Sequence, residues 1–288
     1  MVRWMVLVML VIGGRAPAQG VGDPKPEPTK PVPQGFFAGH YESAAGPRWR
    51  VQVEPVVWYV SPGGDVALGG GPITPTLELN IDSPNIGGGG EVHLHADPYR
   101  ISLLGFAMSQ RGSSTAIRTV TYNDLAITPG DRIETDFDLA VAEVRLGWRV
   151  WDREVDPLPD GSAMLSSGLE LVAGLRAYDY DLMLARTSGT PGSTRGDILQ
   201  VEPVIGFKWD ISFADMFDLD LAANFGGMPK MSGQSSSSLD ITVGTRFRPQ
   251  PNIGVQLGYR LLIVSLESDD AELQGALAGI YSGVVVRF

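Results

Sequence analysis

The sequence predicts an all-β protein, an antiparallel up-and-down β-barrel of about ten strands, with eight or twelve strands left open. Three observations predict it. Apolar and polar residues alternate with a period of two over most of the chain after residue 47, a pattern typical of strands with two different faces. Several alternating segments run for roughly 12 to 20 residues, against about 5–6 for an ordinary strand. Long and short connections alternate between these segments.

The N-terminal residues are predicted to be an export signal. Met1–Ile12 holds Arg3 and then a run of nine apolar residues, and Ala16-Pro17-Ala18 follows with the small-x-small pattern of a cleavage site. The apolar run is too short for a membrane-spanning helix. We expect residues 1–18 to be a cleaved signal peptide, so the mature protein leaves the cytoplasm.

The next segment, residues 19–47, is predicted to be a proline-rich periplasmic spacer with a short lead-in to the barrel. Five prolines lie between Gln19 and Pro33. Because proline lacks the backbone N–H and has a fixed φ, this stretch forms neither a helix nor a sheet interior. A disordered tail is the alternative.

Residues 48–288 are predicted to form the barrel. The clearest alternation sets Leu219 and Leu221 against Asp218 and Asp220. The predicted strands are 48–60, 88–96, 100–111, 133–150, 163–183, 197–209, 216–227, 237–248, 252–267 and 272–288. Three local features come with them: a bulge near Ala140, where the apolar phase of the fourth strand slips; a flexible loop at Gly87–Gly90; and an extra hairpin at Thr76–Asp82.

Strand length and charge placement favour a transmembrane barrel. A tilted strand crosses a bilayer in about 9–11 residues, and the predicted outward stripes carry no charge over most strands. Hydrocarbon offers no hydrogen-bond partner to the backbone N–H and C=O groups at an open sheet edge, so a sheet in a membrane must close into a barrel. Aromatic rings near strand ends predict girdles at the lipid head groups. These are Trp49, Tyr59, Trp148, Trp151, Trp209 and Phe247. A soluble exported β-barrel with an apolar ligand inside remains the alternative.

The last strand, G-I-Y-S-G-V-V-V-R-F, carries a family resemblance. Ile280, Val284, Val286 and Phe288 share one face, and Phe288 is the final residue. This strand resembles the insertion signal of bacterial outer-membrane β-barrel proteins, although Ser282 replaces an apolar residue. The resemblance implies a monomer in the outer membrane of a diderm bacterium. Its partners would be outer-membrane lipid and the outer-membrane insertion machinery.

The inward faces are predicted to hold a lumen charge network. A barrel of ten strands is narrow, so we expect arginine and lysine to pair there with carboxylates. The members are Arg50, Glu54, Glu143, Arg145, Arg149, Glu170, Arg176, Glu202, Lys208, Asp218, Asp220, Asp240, Arg246 and Arg260. Arg100, at the first position of a predicted strand, and Asp210 are assigned to the periplasmic turns. This interior favours a structural or cell-surface interaction role; a small-solute or ion channel is the alternative.

Composition excludes several functions. The absence of cysteine excludes disulfides and thiolate metal sites, and a net charge of −11 argues against a nucleic-acid partner. His93, His95 and Glu91 share a face and are candidate metal ligands. A catalytic pair around either histidine lacks a supporting motif, so we predict no enzyme and no cofactor. Excess acid in the external loops predicts divalent cations at that rim.

Overall fold

The computed structural model describes residues 50–69, 71–157, 163–214, 216–250 and 252–288. The predicted signal peptide, the spacer and Trp49 lie outside the described residues. The strands are β1 (Arg50–Leu68), β2 (Thr74–Pro75), β3 (Asn85–Ala96), β4 (Tyr99–Thr115), β5 (Val120–Tyr122), β6 (Leu125–Ile127), β7 (Arg132–Pro157), β8 (Ala163–Arg186), β9 (Gly192–Phe213), β10 (Phe217–Met231), β11 (Gln234–Gln250), β12 (Ile253–Glu267) and β13 (Ala271–Arg287). No helix long and apolar enough to span a membrane occurs in these ranges.

Ten of these strands form one closed antiparallel ring within the described residues. Their order is β1-β3-β4-β7-β8-β9-β10-β11-β12-β13, and β13 pairs back onto β1. The predicted all-β fold, up-and-down order and count of ten are therefore confirmed. At one end of the barrel, the turn end, neighbouring strands join through short connections such as residues 97–98. The opposite end, the loop end, carries residues 69–84 and 116–131.

The turn-end half of the barrel has an apolar exterior. Along β8, outward-facing Leu171 and Leu175 are exposed, and the inward-facing Glu170 and Arg176 are buried. The same orientation holds on β10, where Leu219 is 41% exposed and Asp220 is 6% exposed. On β8 the uncharged outward stripe extends from Leu169 to Ala177, nine residues, which matches the length needed to cross a bilayer. We call this part of the barrel the belt half.

In the loop-end half the two faces exchange their chemical character, so that the inward face is apolar and the outward face is charged. On β8, Tyr180, Leu182 and Leu184 point inward and are fully buried, while Asp179 and Asp181 lie on the outer face. Inward apolar residues of seven of the ten ring strands, β1, β4, β7, β8, β9, β12 and β13, meet in one core. We call this part the loop half. Its apolar core and charged exterior are those of a water-soluble β-barrel.

The predicted bulge near Ala140 is wrong, and the reversal explains why. β7 pairs without interruption with β4 and β8 through Ala140, and its register shifts only between Arg149 and Trp151. Phe137, Leu139 and Val141 are buried in the core, whereas Val144 faces outward. The apolar phase slips because the apolar residues change sides of the sheet, so no extra residue is needed.

Loop residues close the loop end. Leu79, Ile81, Tyr122, Leu125 and Ile127 are buried in the same apolar core. The hairpin of this cap is β5–β6, where Asn123 has the positive φ of a tight turn. The Tyr122 hydroxyl lies 2.5 Å from Thr74 Oγ1, which joins the hairpin to the first loop.

Two further local predictions are wrong. Residues Thr76–Asp82 form consecutive turns, with Glu78 N donating to Pro75 O and Ile81 N to Thr76 O, because Leu79 and Ile81 must both reach the core. Gly87–Gly90 lies inside β3, paired with β1 and β4. Ladder hydrogen bonds from both neighbours hold these glycines in extended conformation despite their low strand propensity.

Candidate functional site

The interior of the belt half is a network of ion pairs centred on Arg176. Its guanidinium lies 3.1 Å from Glu143, 3.1 Å from Asp240 and 3.7 Å from Glu202. The Arg176 side chain is fully buried, and its Nη1 also donates to Ser238 Oγ at 2.9 Å. Three carboxylates around one guanidinium leave a local excess of negative charge. Arg145, 3.4 Å from Glu143, and Arg260, 2.8 Å from Asp240, offset it.

A second cluster lies across the lumen. Arg246 contacts Asp220 at 2.9 Å and Glu54 at 3.5 Å, and Lys208 contacts Asp220 at 3.1 Å. Asp220 thus shares its charge between two cations from different strands. Removing one of these cations would leave Asp220 paired with the other.

Further pairs between strands lie towards the turn end. Arg149 forms a bidentate contact with Asp210 at 2.9 and 3.0 Å, and Arg248 donates to Asp218 at 2.8 Å. Arg100 donates to Glu170 at 2.6 Å. A last pair joins Arg287 to Gln52 at 2.6 Å.

The sequence-based site therefore misses Arg100 and Asp210, which were predicted to lie in turns. Arg100 begins the inward series that continues with Ser102 and Leu104, and Asp210 extends the series of Lys208. The alternation of inward and outward residues on these two strands could therefore have identified Arg100 and Asp210 from the sequence. Arg50 of the predicted network is exposed at the start of β1, opposite His95 in the ladder.

The two histidines of β3 lie in the lumen among polar partners. His93 Nδ1 is 2.8 Å from Ser102 Oγ, and its Nε2 is 3.3 Å from Glu91 and 3.5 Å from Glu54. The ring centroids of His93 and His95 are 6.0 Å apart. Among the described residues, no group of three or more histidine, aspartate or glutamate side chains is arranged to hold a metal ion.

The order serine, histidine, carboxylate is the one that activates a serine nucleophile in hydrolases. Here Ser102 is buried and lies on the wall of the lumen cavity described below. Ser102 and His93 are also direct cross-strand neighbours. Their hydrogen bond therefore satisfies two buried polar groups.

A cavity lies in the lumen between the two ion-pair clusters. The centres of water molecules have about 90 Å³ available in it. Glu91, Arg145, Lys208 and Arg246 line its walls, and Trp58, Phe106 and Tyr281 lie at the side of the apolar core. The charge pairs leave this space open in the lumen.

The residues predicted for the aromatic girdle and the terminal strand lie on the outer surface. The exposed side chains are Tyr59, Trp148, Trp151, Trp209, Phe247, Ile280, Val284 and Phe288, with Val286 partly buried. Trp209 donates its indole N–H to Ser167 Oγ at 2.9 Å. An apolar ring with a satisfied polar edge suits the boundary between lipid and water.

Carboxylates at the loop end are held by local donors. Asp131 Oδ2 accepts from Thr128 N and from Thr128 Oγ1, both at 2.8 Å. These hydrogen bonds hold the pKa of Asp131 below its ordinary value. Lys230 donates to Glu267 at 2.6 Å and lowers the pKa of that carboxyl. Both acids therefore keep their negative charge at neutral pH.

Solved structures similar to this chain are bacterial outer-membrane barrels. The outer-membrane protease OmpT of Escherichia coli is 11% identical with a TM-score of 0.47, over 83% of this chain and 97% of that one. Neisserial surface protein A is 9% identical with a TM-score of 0.36, over 83% and 97%. The translocator domain of the autotransporter NalP from Neisseria meningitidis is 12% identical with a TM-score of 0.35, over 83% and 88%. No family model and no curated protein matches the sequence.

Proposed function

We propose that this chain is an outer-membrane β-barrel protein of a diderm bacterium, with a sealed barrel and a structural or cell-surface interaction role. The observation that carries the proposal is the apolar core of the loop half. It lies between the charged lumen and the loop end and is built by seven of the ten ring strands, with Leu139, Tyr180 and Leu262 buried in it.

The exterior of the belt half supports the membrane location. Its outward residues are uncharged and mostly apolar, with Ser282 as an exception, and closure of the ring leaves no backbone edge unpaired in lipid. A soluble barrel with its apolar stripes turned inward would have buried Leu219 and exposed Asp220, the reverse of what is seen. Fractionation tests this point: recovery in the periplasm or the culture supernatant without detergent would exclude a membrane protein.

The loop half supports a role at the cell surface. On β8 it extends nine residues beyond Ala177, about 30 Å along the strand. It is a folded body with its own core, and it presents charged side chains such as Asp138, Asp181 and Asp197 to solvent. A rigid, water-soluble surface of this kind suits contact with another molecule outside the cell.

Planar-bilayer recording tests the sealed barrel against the channel alternative. We expect no steady single-channel steps from the wild-type protein, with insertion verified by a heat-modifiable shift on SDS gels. Replacing Leu139, Tyr180 and Leu262 together by alanine removes side chains from the seal and is expected to produce steps.

The matched control replaces Val144, Leu175 and Leu261 by alanine. These residues lie on the outer face of the same three strands, so we expect no conductance from this variant. Steady steps from the wild-type protein would overturn the sealed barrel.

A further inference from the structure

We propose that the lumen cavity of the belt half is a binding site, entered from the turn end, for a small organic anion with an apolar part. A carboxylate of about the size of benzoate fits this description. The proposal goes beyond the sealed barrel, because a sealed barrel and an occupied cavity are independent properties with separate tests.

The space exists because small inward residues meet there. Gly89 of β3, the cross-strand neighbour of Val56 on β1 and Phe106 on β4, has no side chain to enter the lumen. Across the lumen, Ala222 and Thr242 also line the cavity. A space of about 90 Å³ for water centres suits a ligand of one ring or a short chain.

The accessible charge in the cavity is mostly positive. Arg145, Lys208, Arg246 and Arg260 keep 11–14% of their side chains exposed. The side chains of the acids paired with them are deeper, at 2% exposed for Asp240 and Glu54 and 9% for Asp220. Glu91 is the exception at 29%, and it lies between His93 and Arg145. A ligand therefore meets cationic tips, with most carboxylates behind them, and this arrangement favours an anion.

The inner end of the cavity is aromatic. Trp58 and Phe106 stack edge to face with ring centroids 5.1 Å apart, and the Arg260 guanidinium lies 5.4 Å and 5.3 Å from those two ring centroids. Tyr281 adds a third ring. A ligand that carried charge alone would leave this surface without contacts, so the geometry favours an apolar body joined to the anionic group.

The route to the cavity runs through the turn end. On the side of the loop end, the rings of Trp58 and Phe106 belong to the apolar core, whose residues are buried. Towards the turn end the lining continues with Arg100, Lys208 and Gln256, and the wall side chains keep the partial exposure given above. In the proposed orientation the ligand therefore comes from the periplasm.

The test measures binding of benzoate to the full-length protein in detergent by saturation-transfer NMR, with protein-free micelles as the blank. Benzyl alcohol and benzylamine are the neutral and cationic probes of similar size. We expect saturable benzoate binding, at least tenfold tighter than that of either other probe. Ala222→Leu fills the cavity and is expected to weaken benzoate binding at least tenfold.

Ala223→Leu is the matched control, because the next residue of β10 faces outward. It is expected to change the affinity less than twofold. Lys208→Gln removes one accessible cation while Asp220 keeps Arg246 as a partner, and it is expected to reduce the preference for benzoate over benzyl alcohol. The proposal is overturned by absence of saturable benzoate binding, by equal binding of benzylamine, or by equal affinities in the two leucine variants. Conductance of the wild-type protein would overturn only the seal.

Discussion

The belt half and the loop half of the barrel use the same strands and the same alternation, with opposite assignment of the two faces. In the belt half the outside is apolar and the interior holds buried ion pairs such as Arg176–Asp240. In the loop half the interior is apolar and the outside carries charges such as Asp138 and Asp181. The side that meets lipid must be free of charge, and the side that meets water need not be. The reversal at Ala177 on β8 therefore marks the level at which the surroundings of the barrel change from lipid to water.

The two halves also differ in how they are stabilised. Burial of apolar area holds the loop half together and tolerates modest changes of shape. The interior of the belt half depends on mutual neutralisation of buried charges, where the loss of one partner leaves another uncompensated. A single substitution should therefore change the free energy of unfolding more among the buried charges than in the apolar core.

The largest effect is expected from Arg176→Met. The change leaves Glu143, Glu202 and Asp240 with one fewer buried cation, and we expect a loss of about 3–5 kcal/mol in the free energy of unfolding. Urea unfolding of the protein in lipid vesicles measures it. Arg195→Met is the control, because the Arg195–Asp181 pair is exposed on the outside of the loop half, where solvent screening leaves an ion pair little effect on stability. Similar losses for both variants would contradict the proposed difference between the halves.

Leu182→Ala tests the apolar core of the loop half. Leu182 is fully buried, and truncation should reduce the free energy of unfolding by about 2–5 kcal/mol. Leu175→Ala makes the same change on the same strand, on the outer face of the belt half, where lipid fills the space. We expect under about 1 kcal/mol there in the same urea titration. A larger loss at Leu175 than at Leu182 would mean that the core is not where the fold places it.

A pair of outward alanines on β8 locates the boundary between the halves. Ala173→Arg puts a charge in the middle of the uncharged stripe and should cost about 2–4 kcal/mol in folding into vesicles. Ala185→Arg puts the same charge beyond the reversal, beside Glu134 in the ladder, and should be nearly neutral. Equal costs at the two positions would show that lipid surrounds both or neither.

The smallest effect concerns pH at the loop end. Thr128→Val removes the hydroxyl that donates to Asp131, so the pKa of Asp131 should rise towards its ordinary value. In the folded protein that pKa is lowered. The associated stability is therefore present above the pKa of the unfolded chain and is lost as the pH falls through the folded value. NMR titration of the carboxyl carbon measures the shift, and Thr121→Val on the exposed β5 strand is the control. An unchanged pKa of Asp131 in the Thr128→Val variant would show that the hydroxyl does not lower it.

Local pattern was enough to find the strands. The prediction 252–267 corresponds to β12 at Ile253–Glu267, and 272–288 corresponds to β13 at Ala271–Arg287. Both follow from alternation over a dozen residues, which depends on the side-chain period of a strand alone. The glycine run was misread because strand pairing, rather than propensity, holds it extended in β3.

The local sequence pattern could not identify which charged residues pair with each other. Arg176 meets Asp240 across 64 positions of the chain, and only the closed ring brings β8 and β11 to face each other across the lumen. The prediction of a bulge in β7 was wrong for a related reason. Phe137, Leu139 and Val141 alternate as well as Val144 and Leu146 do, and alternation does not say which stripe faces inward.

The sequence by itself determined that about ten long strands exist, where they lie, and that each has two chemically different faces, because these properties depend on neighbours along the chain. Only the tertiary structure decided which face lies inside at each level, how the charges pair, and that an apolar core lies between the charged lumen and the loop end. Those depend on ring closure and on whether lipid or water surrounds a given level of the barrel, and neither is encoded in the period of a single strand.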